Sequence, residues 1–188
     1  RDGALFMSLP LLTAAENMPL RSPLGLVLTE RQLVTIRFAT GGAFEVFDKL
    51  FDTADHAPRS GPEALLALME TMVDRLADAL ERVGATLDGI SHQLFGGGLS
   101  ANGRAVTESL KGRLRQISRE GDLISGLRDI LLGLSRVAGY VPEAARQWIA
   151  KDLAPRFATL RTDLSSLADY ETRLQDKTQF LLDATLGF

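Results

Sequence analysis

The chain of 188 residues contains no cysteine and only two histidines, His56 and His92. That excludes disulfides, thiolate metal sites and a cysteine nucleophile, and it suits a reducing compartment. No apolar run approaches the ~18 residues that a bilayer-spanning helix needs, and no secretory signal is present. Excess positive charge is also missing. The formal net charge is −3, so no basic field favours nucleic acid as a partner. Catalytic signatures are equally scarce. Gly96-Gly97-Gly98 lacks the following Lys-Ser/Thr of a phosphate loop and reads as a hairpin connection. His92 stands four residues after Asp88 rather than in a Glu-x-x-His pattern, which argues against a di-iron bundle, and there is no Gly-x-Ser-x-Gly. The two histidines read as exposed helix-end residues, and the chain reads as a non-enzyme.

What is present is the composition of a folded protein, 45% hydrophobic and 24% charged. Residues 4–12 form an apolar run broken by Pro10, the pattern of an edge strand, and 13–24 read as a loop. Residues 25–28 and 32–38 are two β-prone runs around Thr29-Glu30-Arg31, a hairpin signal. Residues 43–51 have the 44, 47, 51 spacing of a short amphipathic helix. Ser60 and Glu63 make a capping-box pattern, with Pro62 in the first turn. Apolar positions then recur at 65, 69, 72, 76, 80, 83, 87, 90 and 94, predicting a helix of about eight to nine turns. Met69 and Met72 lie on that stripe and read as core. After the turn at 96–103, a second long helix carries Val106, Leu110, Ile117, Ile124, Leu127, Leu131, Leu134 and Val137 on one face and closes near Gly139, Tyr140 and Pro142. A third helix is expected from Pro142, breaking around 152–155.

Charge divides the two long helices. Residues 62–95 hold six acids and two bases, whereas 104–139 hold seven Lys or Arg and four acids. An antiparallel hairpin with complementary arms and two independently solvated faces are both consistent with this. From Leu153 onward a seven-residue repeat runs through Phe157, Leu160, Leu164, Leu167, Glu171, Leu174, Thr178, Leu181, Thr185 and Phe188. Such a 3.5-residue period places one stripe on one side of a helix roughly 54 Å long, suited to a neighbouring helix or a symmetry copy. Its polar members, Glu171, Thr178 and Thr185, suit register setting. The stripe ends in mid-pattern, and the chain is expected to be part of a larger protein continuing beyond Phe188. Asp163, Asp169, Glu171, Asp176 and Asp183 outnumber Arg173 and Lys177 over the same stretch, offering hard oxygen ligands for a divalent cation.

The segment Tyr170-E-T-R-L-Q-D-K-T-Q-F-L-L-D-A-T-L-G-F188 resembles the CorA family of magnesium transporters just before the first membrane helix. Upstream features agree in order: the hairpin 25–38, the Phe44-Glu45-Val46-Phe47 helix, the acidic long helix, its partner, and Pro142 and Pro155 before the last helix. The resemblance covers roughly residues 25–188.

It implies an α/β (α+β) fold that is predominantly helical: a partial sheet layer over 1–58, a long antiparallel helical hairpin over 59–141, and a stalk helix over 142–188. It also implies the cytoplasmic side of an inner-membrane Mg²⁺ transporter, pentameric when whole, whose Gly-Met-Asn signature and membrane helices lie outside this sequence. Leu160, Leu164, Leu167, Glu171, Leu174, Thr178, Leu181 and Thr185 are then the stalk and oligomer interface. Mg²⁺, with Co²⁺ or Ni²⁺ as further ions, is both cargo and regulator. Some members pair an acid on the short helix with one early in the stalk. Glu45 matches the first position; the second falls near Thr159, which is no acid, and Asp163 one turn on is the substitute. Two alternatives stay open: a zinc-transporting relative within the same superfamily, and a helical scaffold that merely oligomerises.

Overall fold

The computed structural model describes residues 3–13, 20–39, 42–49, 57–95 and 103–187. Three antiparallel strands, β1 (Leu5–Thr13), β2 (Leu20–Leu28) and β3 (Leu33–Arg37), form a sheet in the order β1-β2-β3. Leu9 and Leu11 of β1 and Leu24, Leu26 and Leu28 of β2 alternate onto one buried face, the period-2 signature of a sheet covered on one side. The other face carries Phe6, Val34 and Ile36, all exposed.

The segment 13–24, expected to be loop, is strand from Leu20, because Pro23 is tolerated there. Pro10 pairs with Pro23, and β3 pairs no further along β2 than Leu24↔Arg37. Neither proline therefore has to donate to a neighbouring strand at an occupied ladder position. The hairpin turn closes as expected: Thr29 N–H donates to the Gln32 carbonyl at 2.9 Å, and Gln32 N–H to Thr29 Oγ1 at 3.0 Å.

Helix α1 (Gly42–Lys49) buries Phe44 and Phe47, whose rings meet edge to face at 6.5 Å. Position 51 of its expected spacing lies outside the described residues. Helix α2 (Gly61–Phe95) begins at the capping box: Ser60 Oγ accepts from Glu63 N–H at 3.3 Å, and the Glu63 carboxylate accepts from Arg59 N–H at 2.7 Å. Its start is bound to the hairpin as well, through Gly61 N–H to the Glu30 carbonyl at 3.1 Å. All nine stripe positions from Leu65 to Leu94 are buried. The glycine-rich connection at 96–102 and His56 lie outside the described residues, while His92 is exposed in the last turn of α2.

Helix α3 (Gly103–Ala144) runs through Pro142 instead of ending before it. No separate helix starts at Pro142. Residues 145–152 are turns, and α4 spans Leu153–Gly187. Pro142 has no N–H to donate to the Ala138 carbonyl one turn back, so α3 carries it with one ladder bond fewer.

The pairs Glu70–Arg156 and Asp88–Lys177 rise together in number, so α2 and α4 run parallel. Arg128–Glu171 and the approach of Gly121 to Thr178 run in opposite senses, so α3 is antiparallel to α4. One core joins these helices to the inner face of the sheet.

Candidate functional site

The heptad stripe of α4 is covered by the chain itself. Leu153, Phe157, Leu160, Leu164, Glu171, Leu174, Thr178, Leu181 and Thr185 are buried, and Leu167 is partly so. Phe188 lies outside the described residues. Of the two partners the repeat allows, a neighbouring helix and a symmetry copy, this chain supplies the first: α2 and α3 pack against the stripe. A parallel α2 and an antiparallel α3 pack along this stripe from its two sides. Gly84 makes the close approach possible: a Cβ there would collide with Tyr170 Oη and lie 3.5 Å from Leu174 Cδ2.

The polar stripe members have defined partners. Thr178 and Thr185 hydroxyls donate to carbonyls one turn back, Leu174 at 2.8 Å and Leu181 at 2.6 Å. Glu171, only 3% exposed, accepts from Arg128 Nε at 3.0 Å through Oε2, whereas its Oε1 is buried with no hydrogen-bond partner. Neither of the two readings of the α2 and α3 charges describes the ion pairs that form. Among the described residues the inter-helix ion pairs run to α4, from Glu70 and Asp88 of α2 and from Arg128 of α3. The bidentate Arg156–Glu70 contact, with N–O distances of 3.2 and 2.6 Å, is the best formed.

The two acids singled out as metal ligands sit apart in their surroundings. Glu45 is exposed in the first turn of α1. Asp163 is exposed on α4, close enough to Asp74 of α2 to act on its titration. Glu70, Asp74, Asp78 and Asp163 thus make an acidic band along the α2–α4 seam. Partial desolvation, then the charges of Asp78, Glu70 and Asp163, hold the Asp74 carboxyl above the ordinary carboxylate range. The band has a recognisable sequence signal, acids at 70, 74 and 78 on one helical face, but only the parallel placement of α2 and α4 adds Asp163 to it. Among the described residues no three His, Cys, Asp or Glu side chains converge tightly enough to hold a metal ion.

A raised native pKa means that the folded chain binds more protons than the unfolded one between the ordinary and the raised value, so stability falls as pH climbs through that interval. Asp74→Asn is therefore expected to raise the thermal midpoint at pH ~7 by roughly 1–3 °C, with the gain vanishing near pH ~3. Calorimetric scans of both chains at the two pH values check it. An equal gain at both would show that the acids do not repel.

No helix among the described residues is long and apolar enough to cross a membrane. The family model for the CorA-like Mg²⁺ transporter protein matches residues 1–187. A magnesium transport protein CorA from Haemophilus ducreyi is 26% identical over 167 residues, covering 86% of this chain and 48% of that protein, so the chain spans about half the length of this curated relative. Among solved structures, the ZntB cytoplasmic domain from Vibrio parahaemolyticus superposes with a TM-score of 0.75 at 10% identity, covering 99% of this chain and 69% of that one. The soluble domain of CorA from Methanocaldococcus jannaschii gives 0.66 at 18% identity, covering 100% and 71%. These likenesses concern the fold, and they agree with the small sheet followed by long helices that the sequence led us to expect. With the family model matching along almost its whole length, the chain belongs to the CorA-like Mg²⁺ transporter family.

Proposed function

We propose that this chain is the cytoplasmic regulatory part of an inner-membrane Mg²⁺ transporter, sensing internal Mg²⁺ and passing the signal along α4. The family's members are transporters, not enzymes, which agrees with the absence of a catalytic grouping in the sequence. The observation that carries the sensing role is the acidic band Glu70, Asp74, Asp78 and Asp163, where only Glu70 has an ion-pair partner among the described residues. Crowded carboxylates repel, and a hard divalent cation that keeps some of its water relieves that repulsion through one or two of them. In a pentamer, Glu45 of one copy and Asp163 of the next would share such an ion. Its binding favours the closed, symmetric assembly, and its loss lets the subunits separate.

Each copy would then meet its neighbours through the exposed residues of α1 and α4, because the apolar stripe of α4 is already used internally. The alternative within the same superfamily is a zinc-transporting protein, and the ligand residues of this chain do not separate the two. The divisions 1–58, 59–141 and 142–188 are retained as functional units in this reading, although α4 itself starts at Leu153.

The test is limited proteolysis and light scattering across an Mg²⁺ titration. Protection and particle mass should rise together in the millimolar range, and Glu45→Gln with Asp163→Asn should shift both midpoints to higher ion concentration. Unchanged cleavage and mass up to millimolar Mg²⁺ would sink the sensing role and favour a plain helical scaffold.

A further inference from the structure

A cavity of about 200 Å³ opens where the end of β1 meets the start of α1 and the middle of α2 and α3. Its wall is apolar, formed chiefly by Leu11, Met72, Leu76 and Ile130. Arg75 and Arg82, also lining it, stand seven residues apart on α2 and so lie two turns apart along one flank of the helix. The Arg75 guanidinium packs 3.8 Å from where a Cβ on Gly42 would be, and its Nη2 makes a long 3.5 Å contact to the Gly42 carbonyl. Neither arginine has an ion-pair partner among the described residues, although the chain is acidic overall and Asp74 and Asp78 occupy the same helix. Asp78 stands three residues after Arg75 and four before Arg82, a helical neighbour of both, yet it pairs with neither among the described residues.

We propose that this cavity binds a small organic carboxylate with an apolar body. The volume sets the body. An apolar cavity of ~150 Å³ accommodates benzene, so this one suits a single ring or a chain of about six to eight carbons. The guanidiniums set the head group: each offers a planar fork of N–H donors matched to a carboxylate, and two of them select an anion over a neutral or cationic analogue of the same shape. Binding would tie α2 to the first residue of α1 and hold the short helix that carries Glu45. The site borders the acidic band at Asp78 and needs no divalent ion.

Calorimetric titration with benzoate and with benzylamine, both in the presence of a chelator, tests the proposal without touching the metal-sensing reading. Benzoate should bind and raise the thermal midpoint, and benzylamine should do neither. Arg82 is exposed, so Arg82→Gln should leave the unliganded midpoint unchanged while weakening benzoate about tenfold or more. Equal binding of the two probes, an unaltered affinity in Arg82→Gln, or no benzoate binding at all would each overturn it.

Discussion

Arg128→Ala should lower the stability of the chain by about 3 kcal/mol or more, although Arg128 lies on the surface with half its side chain exposed. The loss comes from the partner left behind. Glu171 is 3% exposed and sits on the apolar stripe of α4, with Oε1 already lacking a hydrogen bond. Removing the guanidinium strands the whole carboxylate in the core. The companion change, Glu171→Leu, should be neutral or stabilising, because the stripe gains an apolar side chain and Arg128 can turn to water. Urea unfolding of both variants separates two roles for the pair. If Arg128→Ala costs the most and Glu171→Leu nothing, the pair serves the α3–α4 register and not stability. Losses below ~0.5 kcal/mol in Arg128→Ala would mean that water reaches Glu171 and that the pair is an ordinary surface contact.

Gly61→Ala should destabilise by about 3 kcal/mol, the upper end of what overpacking costs. The methyl group would press into the carbonyl oxygen of Thr29 and come within 2.7 Å of the Gln32 carbonyl oxygen and 2.9 Å of its nitrogen. All three are backbone atoms of the β2–β3 turn, so no side chain can swing aside. Relief requires α2 to lift off the hairpin, losing the Gly61 N–H to Glu30 hydrogen bond. Gly89→Ala, in the same helix with open space around its Cβ position, should instead stabilise by about 0.5–1 kcal/mol. Opposite signs from the same substitution on one helix, measured by urea unfolding, are the expected result. A Gly61→Ala chain as stable as the wild type would show that the hairpin and the start of α2 are not rigidly joined.

Local chemistry was readable wherever a short stretch of chain settles its own conformation. The Thr29–Gln32 turn, the Ser60/Glu63 cap and the nine-position stripe of α2 depend on neighbours within a few residues, and each formed as its pattern implied. Strand β2 was less legible, because whether Pro23 is tolerated depends on how far β3 extends beside it. The same holds at Pro142, whose lost ladder bond is offset by the burial of Ala138, Val141 and Ala145 around it. For the candidate site, Glu45 sits on the short helix where the sequence put it, whereas the shared face of the acids at 70, 74 and 78 went unread and nothing in the spacing of α4 announced that Asp163 would lie near them.

The amino-acid sequence alone determined that the chain is dominated by long helices, which of their faces are apolar, and the family to which the chain belongs. Tertiary structure alone decided what covers the stripe of α4. Apolar burial is non-directional and nearly indifferent to the identity of the covering surface, so a 3.5-residue repeat states that a partner exists without stating whether it is another molecule or the chain itself. The parallel placement of α2 and the antiparallel return of α3 made that choice, and they set Glu171 beside Arg128 and Asp163 beside Asp74.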